Sequence, residues 1–530
     1  MSGTTAEAPV RAEDHAPSAT AGAATRALTR AEAVRLLRHP AVLAAFALYL
    51  AQWAYGAYSG DDRYPVLHDE DRYTQVPLLL IAAGTLLAAN LAALRSYRHG
   101  ADAMFDLLVL PPWRRTWALL LALLPVTALS AVLAGARIGY VAAQDAAIGG
   151  PSMAELATGP LVVLLTGAIG VFAARVVRSV AAAPLTLAAL GIVTVAGALQ
   201  PKSNARWWGL VGIEDENVPP LPTALTHRPV SWHLLYLAAL LTLVAAAAVL
   251  RAGGPSTAFR ATAGVALLAL IGTGVAQQRG LPDDVRQART IADNAPSSQQ
   301  VCVERDAVAY CAFPEFEDRY RQWAEVTGGV LHRVPPSERE QRYTVRQHVF
   351  LSTVDSGVVP PLPVTRWAAD DRAAGTPRAV PVGTDWGTHS ELAGDHTLGF
   401  AGSFAYRAVT GESLADARGQ AICRARGAIT LWLAVQATDG TREAYESLSG
   451  RTFGGLSLTA FDAATGFSVN VREQELVRTL LTRPGADIGA KVQRSWTRLT
   501  APDTTTDEAA ALLGVPAPPA AREGEEGRCL

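Results

Sequence analysis

The sequence lacks a strong charge of either sign: 46 Lys and Arg against 48 Asp and Glu leave a formal net charge of −2. Without a basic field there is nothing to hold a phosphate backbone, and no nucleic-acid partner is expected. A phosphate-binding loop of the form G-x-x-x-x-G-K-[ST] is also missing. The nearest fragment, GADIGAKV at 485–492, has the wrong spacing and no hydroxyl after its lysine. The chain is therefore not expected to hydrolyse ATP. Neither H-E-x-x-H nor G-x-S-x-G occurs, and HSELAGDH (389–396) fits no metal-ligand spacing and reads as a polar loop. No enzyme activity, catalytic residue, metal or cofactor is expected. A basic start followed at once by an apolar core is absent too, so the first apolar run is expected to be retained rather than cleaved. Residues 1–25 are small, polar and aperiodic, the composition of a disordered tail.

What is abundant is apolar sequence, half of the 530 residues. Runs of about 20 apolar residues suffice to cross about 30 Å of hydrocarbon. They fall near 41–58, 77–94, 117–136, 159–175, 180–199, 232–250 and 261–278, with only Arg175 charged, at an edge. This predicts a mostly α fold: a polytopic helical membrane domain of six to seven spans over 26–279, in a lipid bilayer, then a mainly helical α+β extracytoplasmic domain over 280–515. Residues 516–530 are expected to be a disordered tail.

Sidedness follows from the basic residues. With the N-terminus inside, the inner segments hold twelve arginines, among them Arg30, Arg35, Arg38, Arg98, Arg114 and Arg115, while outer loops such as DDRYPVLHDEDR (61–72) are acidic. Seven crossings then put everything after Arg279 outside the cytoplasm. Cysteine usage agrees. Cys302 and Cys311, in VCVERDAVAYC, enclose a short loop that a disulfide can close in an oxidising compartment, two buried thiols being the alternative. Cys423 falls in an expected helix and reads as a small core residue, and Cys529 is unassigned.

Intramembrane polar residues are few, and no Asp or Glu lies within the runs, so a proton relay has no titratable group there. Asn90 and His233 are candidates to line a pathway, or else helix-to-helix hydrogen bonders. The Gly56/Gly60 and Gly135/Gly139 pairs suit close helix approach in a dimer. Trp207 and Trp208 suit the headgroup boundary.

Between the second and third runs lies RSYRHGADAMFDLLVLPPWRRT (95–116). Ala101, Met104, Phe105 and Leu108 recur at helical spacing, Asp102 and Asp106 share another face, and Gly100 and Pro111-Pro112 punctuate the ends. Such a helix can simply lie on the inner surface. The basic cluster, Gly, short helix with an acidic residue before paired leucines, Pro, basic residues and next span resemble the corresponding loop of ABC-2 type transporter permeases. TRAEAVRLLRHPAVLAA (29–45) is similar to that family's N-terminal interfacial helix, with Ala33, Leu36 and Leu37 able to lie on the membrane and Arg30, Arg35 and Arg38 facing phosphate or protein. The likeness covers about 26–250. It implies a dimeric or pseudo-dimeric permease subunit, of exporter type, gripped at these two elements by a separate ATP-binding subunit. Arg98, Asp102, Met104, Phe105, Asp106, Leu108, Arg114 and Arg115 are the implied contacts. Family members usually end after six spans, whereas here a further run and about 250 residues follow. The alternative is a membrane-anchored sensor or scaffold whose external domain binds a ligand or an envelope protein.

In the external half, Phe313, Phe316, Tyr320, Trp323, Val326 and Val330 repeat at helical spacing, as do Ile488, Val492, Trp496 and Leu499. Both stripes predict core. YTVRQHVFLSTV (343–354) alternates like a strand, and CRARGAITLWLAVQA (423–437) reads as a buried helix.

Overall fold

The computed structural model describes residues 18–59, 64–100, 110–144, 146–199, 204–213, 220–349, 351, 363–384, 386, 394–414, 421–452, 455–458, 467–520 and 529. Its first half is an α-helical bundle: α1 (Ser18–Leu37), α2 (Pro40–Ser59), α3 (Leu67–Tyr73), α4 (Gln75–Ala93), α5 (Pro112–Leu121), α6 (Leu124–Ala142), α7 (Met153–Val176), α8 (Ala182–Ala198), α9 (Val230–Arg251) and α10 (Ser256–Ala276). Six helical stretches among the described residues are long and apolar enough to cross a membrane: 40–58, 67–93, 112–142, 153–176, 230–251 and 257–276. The protein is a polytopic membrane protein. Helices are the form these runs must take, because in lipid each backbone N–H and C=O has to be satisfied within the segment.

The run at 180–199 forms only the 17 residues of α8, about 25 Å of helix, short of a full crossing. It nevertheless carries the chain from one end of the bundle to the other. It starts just after the α7 terminus that bears Arg175 and ends where the Thr194 hydroxyl accepts from the Leu210 amide at 3.3 Å, next to the start of α9. The chain therefore alternates direction through seven helical passages, and α1 lies at the opposite end of the bundle from the C-terminal domain. α1 begins at Ser18, inside the segment expected to be a tail.

The bundle closes around α4 and α7, which run parallel. Gly159 lies under Leu78, Gly167 under Leu123, and a Cβ on Gly170 would collide with the Leu86 carbonyl. Thr166 donates its hydroxyl to Ala82 O at 3.1 Å, and Asn90 donates Nδ2 to Gly170 O at 3.1 Å. Small residues let the backbones approach until such bonds form. A Cβ added to Gly56, Gly135 or Gly139 would meet nothing within 4 Å, and Gly60 lies outside the described residues. Spacing suggests those glycines for contact in a dimer; within this chain the close approaches fall on Gly159, Gly167 and Gly170 of α7 and on Gly84 of α4, against Ala41 of α2.

The C-terminal domain contains α11 (Asp283–Asn294), β1 (Val301–Arg305), β2 (Val308–Ala312), α12 (Tyr320–Arg333), β3 (Tyr343–Gln347), α13 (Val364–Ala373), β4 (Val380–Val382), α14 (Asp395–Thr410), β5 (Ala421–Ile422), α15 (Arg424–Val435), α16 (Asp439–Ser449), β6 (Leu456–Leu458), β7 (Phe467–Val469), α17 (Val471–Leu481), α18 (Gly485–Arg494) and α19 (Thr506–Leu513). One sheet has the order β1-β2-β3-β4, an antiparallel hairpin extended by two parallel strands; the other is β5-β7-β6. α14 and α15 occupy the centre, with Phe400, Phe404 and Trp432 fully buried. Both aromatic stripes enter this core, Tyr320 at its margin.

Two disulfides brace the domain. Cys302 and Cys311 face each other across the β1–β2 hairpin with Cα atoms 4.0 Å apart. Cys423 is bonded to Cys529, which corrects its reading as a helical core residue. Cys423 caps α15 from outside in extended conformation, so its side chain can turn to the tail, where residue 529 bridges Ala421. The crosslink spans 106 residues. Closing a loop of that size stabilises by about 4 to 5 kcal/mol in the chain-entropy account.

Arg346 is fully buried within the sheet and donates Nε to Asp371 at 2.7 Å, Nη1 to Gln300 at 2.8 Å and Nη2 to Thr376 at 2.6 Å. His348, two residues on and just past β3, packs against Trp367 with ring centres 4.0 Å apart and the planes tilted by 31°. Burial, with help from Arg346, pulls its imidazole down to about 3.

Replacing Gly170 by Leu should lower bundle stability by about 1–3 kcal/mol through overpacking, whereas Gly135→Leu should change it by less than about 0.5 kcal/mol. Unfolding of the detergent-solubilised protein measures both. His348 contributes a pH dependence to this part of the domain. Its folded pKa lies below the unfolded value, so unfolding takes up a proton below pH 6.5. The stability this neutral ring provides is complete above that pH and falls toward pH 3 by up to about 1.4 kcal/mol per unit. Amide hydrogen exchange of β3 should accelerate on acidification in the wild type and much less in His348→Asn.

Candidate coupling site

At the α1 end of the bundle, Glu32 is the only acidic residue of that helix. It is nearly buried and accepts Arg95 Nη1 at 2.8 Å and Nη2 at 3.1 Å, a two-pronged ion pair, as well as Arg35 Nη1 at 2.8 Å. Arg95 opens the helical turn Arg95–Arg98 immediately after α4. The interfacial helix is thus fastened to the stem of the loop between the second and third spans. Ala33 and Leu36, expected to lie on the membrane, are buried against the bundle, where Leu36 meets Ala89, Leu123 and Val171 around a small gap. Glu32 makes this face of α1 the one that docks on protein.

A cleft of about 170 Å³ follows, lined by Arg35, Leu36, His39, Ala88, Leu91, Ala92, Arg95, Arg98 and His99. None of these is acidic, but Glu32 already engages Arg35 and Arg95, so within the cleft it is Arg98 and His99 that suit a carboxylate or phosphate from outside the chain. Burial and the neighbouring Arg95 lower the His39 pKa. Arg178 extends the basic surface and lies over the Tyr97 ring at 5.8 Å. Arg30 on α1 and Arg38 just past its end are exposed. Gly100, at φ 64, ends the described part of the loop. Asp102, Met104, Phe105, Asp106 and Leu108 lie outside the described residues. The chain resumes through Pro111-Pro112, the second proline starting α5, with Arg114 at 5.1 Å over the Trp113 ring and Arg115 beside it.

The pathway candidates are not brought together. Asn90 is buried between α4 and α7 by its bond to Gly170. His233 is buried at the other end of the bundle, 3.3 Å from Gln277 Oε1 and from Leu210 O, with Trp207 against its ring edge and Tyr236 stacked on it. Both act between helices. Trp207 is buried in this contact and Trp208 is exposed.

Sequence reasoning missed the organisation of that far end. Arg228 reaches Asp69 at 3.1 Å and Asp71 and Glu155 at 3.9 Å, and Arg72 pairs with Asp69 at 3.0 Å. Asp71 also accepts the Ser152 amide at 2.6 Å, and Gln75 donates to Glu155. HDED reads only as part of an acidic loop, and His68 to Asp71 prove to be buried. Its partners come from segments about 80 and 160 residues away, which no local pattern reveals. Arg319 of the C-terminal domain closes the same end by donating to the carbonyls of Tyr64, Pro65 and Ala146. Among the described residues no group of His, Cys, Asp and Glu is placed to hold a metal ion. His389 and Glu391 lie outside the described residues; Asp395 and His396 open α14.

Glu32→Ala should strand Arg95 and loosen α1, speeding amide exchange across it about tenfold, for a pair worth roughly 1–2 kcal/mol. The exchanged pair, Glu32→Arg with Arg95→Glu, should restore protection. No protein-family model, curated protein or solved structure matches the chain.

Proposed function

We propose that the protein is the membrane-spanning subunit of an ABC transporter of exporter type, driven through its α1 end by a separate ATP-binding subunit. One observation carries this reading: Glu32 and Arg95 join the two elements that an ATPase grips in the ABC-2 permeases the sequence resembles. A helix fastened to the stem of the loop gives a partner one surface to push. The cleft beside it, with Arg98 and His99 on its walls beyond the Glu32-bound Arg35 and Arg95, suits an acidic partner surface. The absence of a phosphate-binding loop requires the nucleotide cycle to occur on another polypeptide.

Sidedness belongs to the same proposal. The arginines at 26–38, 95–98, 114–115, 175–178 and 251–260 gather at the α1 end, as retained cytoplasmic segments do. The domain with both disulfides lies at the opposite end, in keeping with an oxidising compartment. A dimer or pseudo-dimer would supply two such driven surfaces.

A second reading is favoured by the placement of Asn90 and His233, both engaged between helices. In it the bundle anchors an external sensor or scaffold and transports nothing. The two differ in their partner. If the transporter reading holds, a P-loop ATPase is recovered with the detergent-solubilised protein, and Asp102→Arg with Asp106→Arg reduces that recovery at least about tenfold. Undiminished recovery from the double variant removes the coupling role of the loop, and absence of any ATPase selects the anchored sensor.

A further inference from the structure

We infer that the groove between α1 and the α5–α6 hinge is a binding site for one anionic phospholipid of the adjoining leaflet. The groove has a volume of about 820 Å³. One wall carries Arg26 and Arg30 of α1, the other Arg114 with Trp113 and Trp117, and its far end is closed by Leu121 and Pro125. No acidic residue lines it. α1's one carboxylate, Glu32, is turned to Arg95 instead.

Charge and apolar wall are arranged in sequence along the groove. Arg114 lies at the start of the membrane-spanning stretch 112–142, with its guanidinium over Trp113. From there to Pro125 the helices advance about 16 Å at 1.5 Å per residue. Half of a hydrocarbon core about 30 Å thick is nearly the same length. Along α5 the groove therefore offers the Arg114 guanidinium and two indoles at headgroup level and an apolar wall one leaflet deep, with Arg26 and Arg30 on the facing helix. Arginine clusters at helix entries recognise anionic headgroups, and indole rings favour the same boundary.

Other occupants fit less of it. Free phosphate satisfies the arginines and leaves Val34, Trp117 and Leu121 bare. The chain's own residues 1–17 contain no apolar run to fill the inner half. A second copy of α1 would bring more guanidinium groups together without a counter-charge. A phospholipid answers both halves, and the assignment rests on the membrane bundle and not on the transporter reading.

The test is native mass spectrometry of the full-length protein titrated with dioleoyl phosphatidylglycerol or dioleoyl phosphatidylcholine. The wild type should retain the anionic lipid preferentially, and each of Arg26→Gln and Arg30→Gln should lower that preference by about fivefold, the factor for one arginine near an anionic surface. Leu121→Trp, which blocks the apolar end and leaves the arginines in place, should weaken retention of the lipid and not of glycerol phosphate. Equal retention of both lipids, unchanged preference in the arginine variants, or full displacement by glycerol phosphate overturns the assignment. So does undiminished retention in Leu121→Trp.

Discussion

The rest of the structure depends on the exclusion of charge from the interior of the apolar helices. A guanidinium or carboxylate in hydrocarbon costs several kcal/mol even after relaxation, so the charged residues of the first half gather at two ends. The ends have opposite chemistry. At one, a single acid among the described residues, Glu32, stands with Arg35, Arg95 and Arg98. At the other, Asp69, Asp71 and Glu155 converge on Arg228. α4 reaches both, with Gln75 donating to Glu155 at its first residue and Arg95 held by Glu32 just past its last.

That double attachment gives meaning to the tight packing of α4 on α7. Gly159, Gly167 and Gly170 let the helices approach until side chains bond to the neighbouring backbone. A pair packed this closely resists bending and shifts as a unit. On the transporter reading, a push on the loop stem would therefore be felt where α4 begins. A lipid between α1 and α5 would act on the same lever from the side, because α1 meets the stem through Glu32.

The sequence made the membrane bundle legible because a span announces itself locally, through about 20 uncharged residues. The aromatic stripes of the second half were legible for the same reason, since Trp323, Val326 and Val330 repeat within one helix. The Cys302–Cys311 crosslink lay within one hairpin and could be foreseen. The Cys423–Cys529 bond spans 106 residues and could not. A one-residue shift in where α15 starts decided whether Cys423 was core or crosslink, and helix ends are where sequence patterns are weakest. The burial of the acidic stretch at 68–71 was not legible for a similar reason: its counter-charge, Arg228, is contributed by a distant loop. At the α1 end, pattern identified the helix and the loop but assigned its apolar face to lipid. The deciding residue was Glu32, whose charge finds its partner on another segment.

Arg319 settles how the two halves are joined. It is buried and donates to three backbone carbonyls of the loops at this end of the bundle, with the Tyr64 ring 5.3 Å from its guanidinium. Burial lowers its pKa to about 10, still far above neutrality, so the charge persists. A planar fork of donors can serve carbonyls on separate segments at once, which an ammonium cannot do with the same geometry. Around it Val66, Ile148 and Leu225 enter the core of the C-terminal domain, and Tyr64 stacks on Trp386 at 5.2 Å. Separating the halves would expose this apolar contact and strip a buried cation of its acceptors, at a cost of several kcal/mol. Any rearrangement of the outer ends of the bundle must therefore carry the domain with it, whether the motion begins with a nucleotide cycle at the far end or with a ligand on the domain itself.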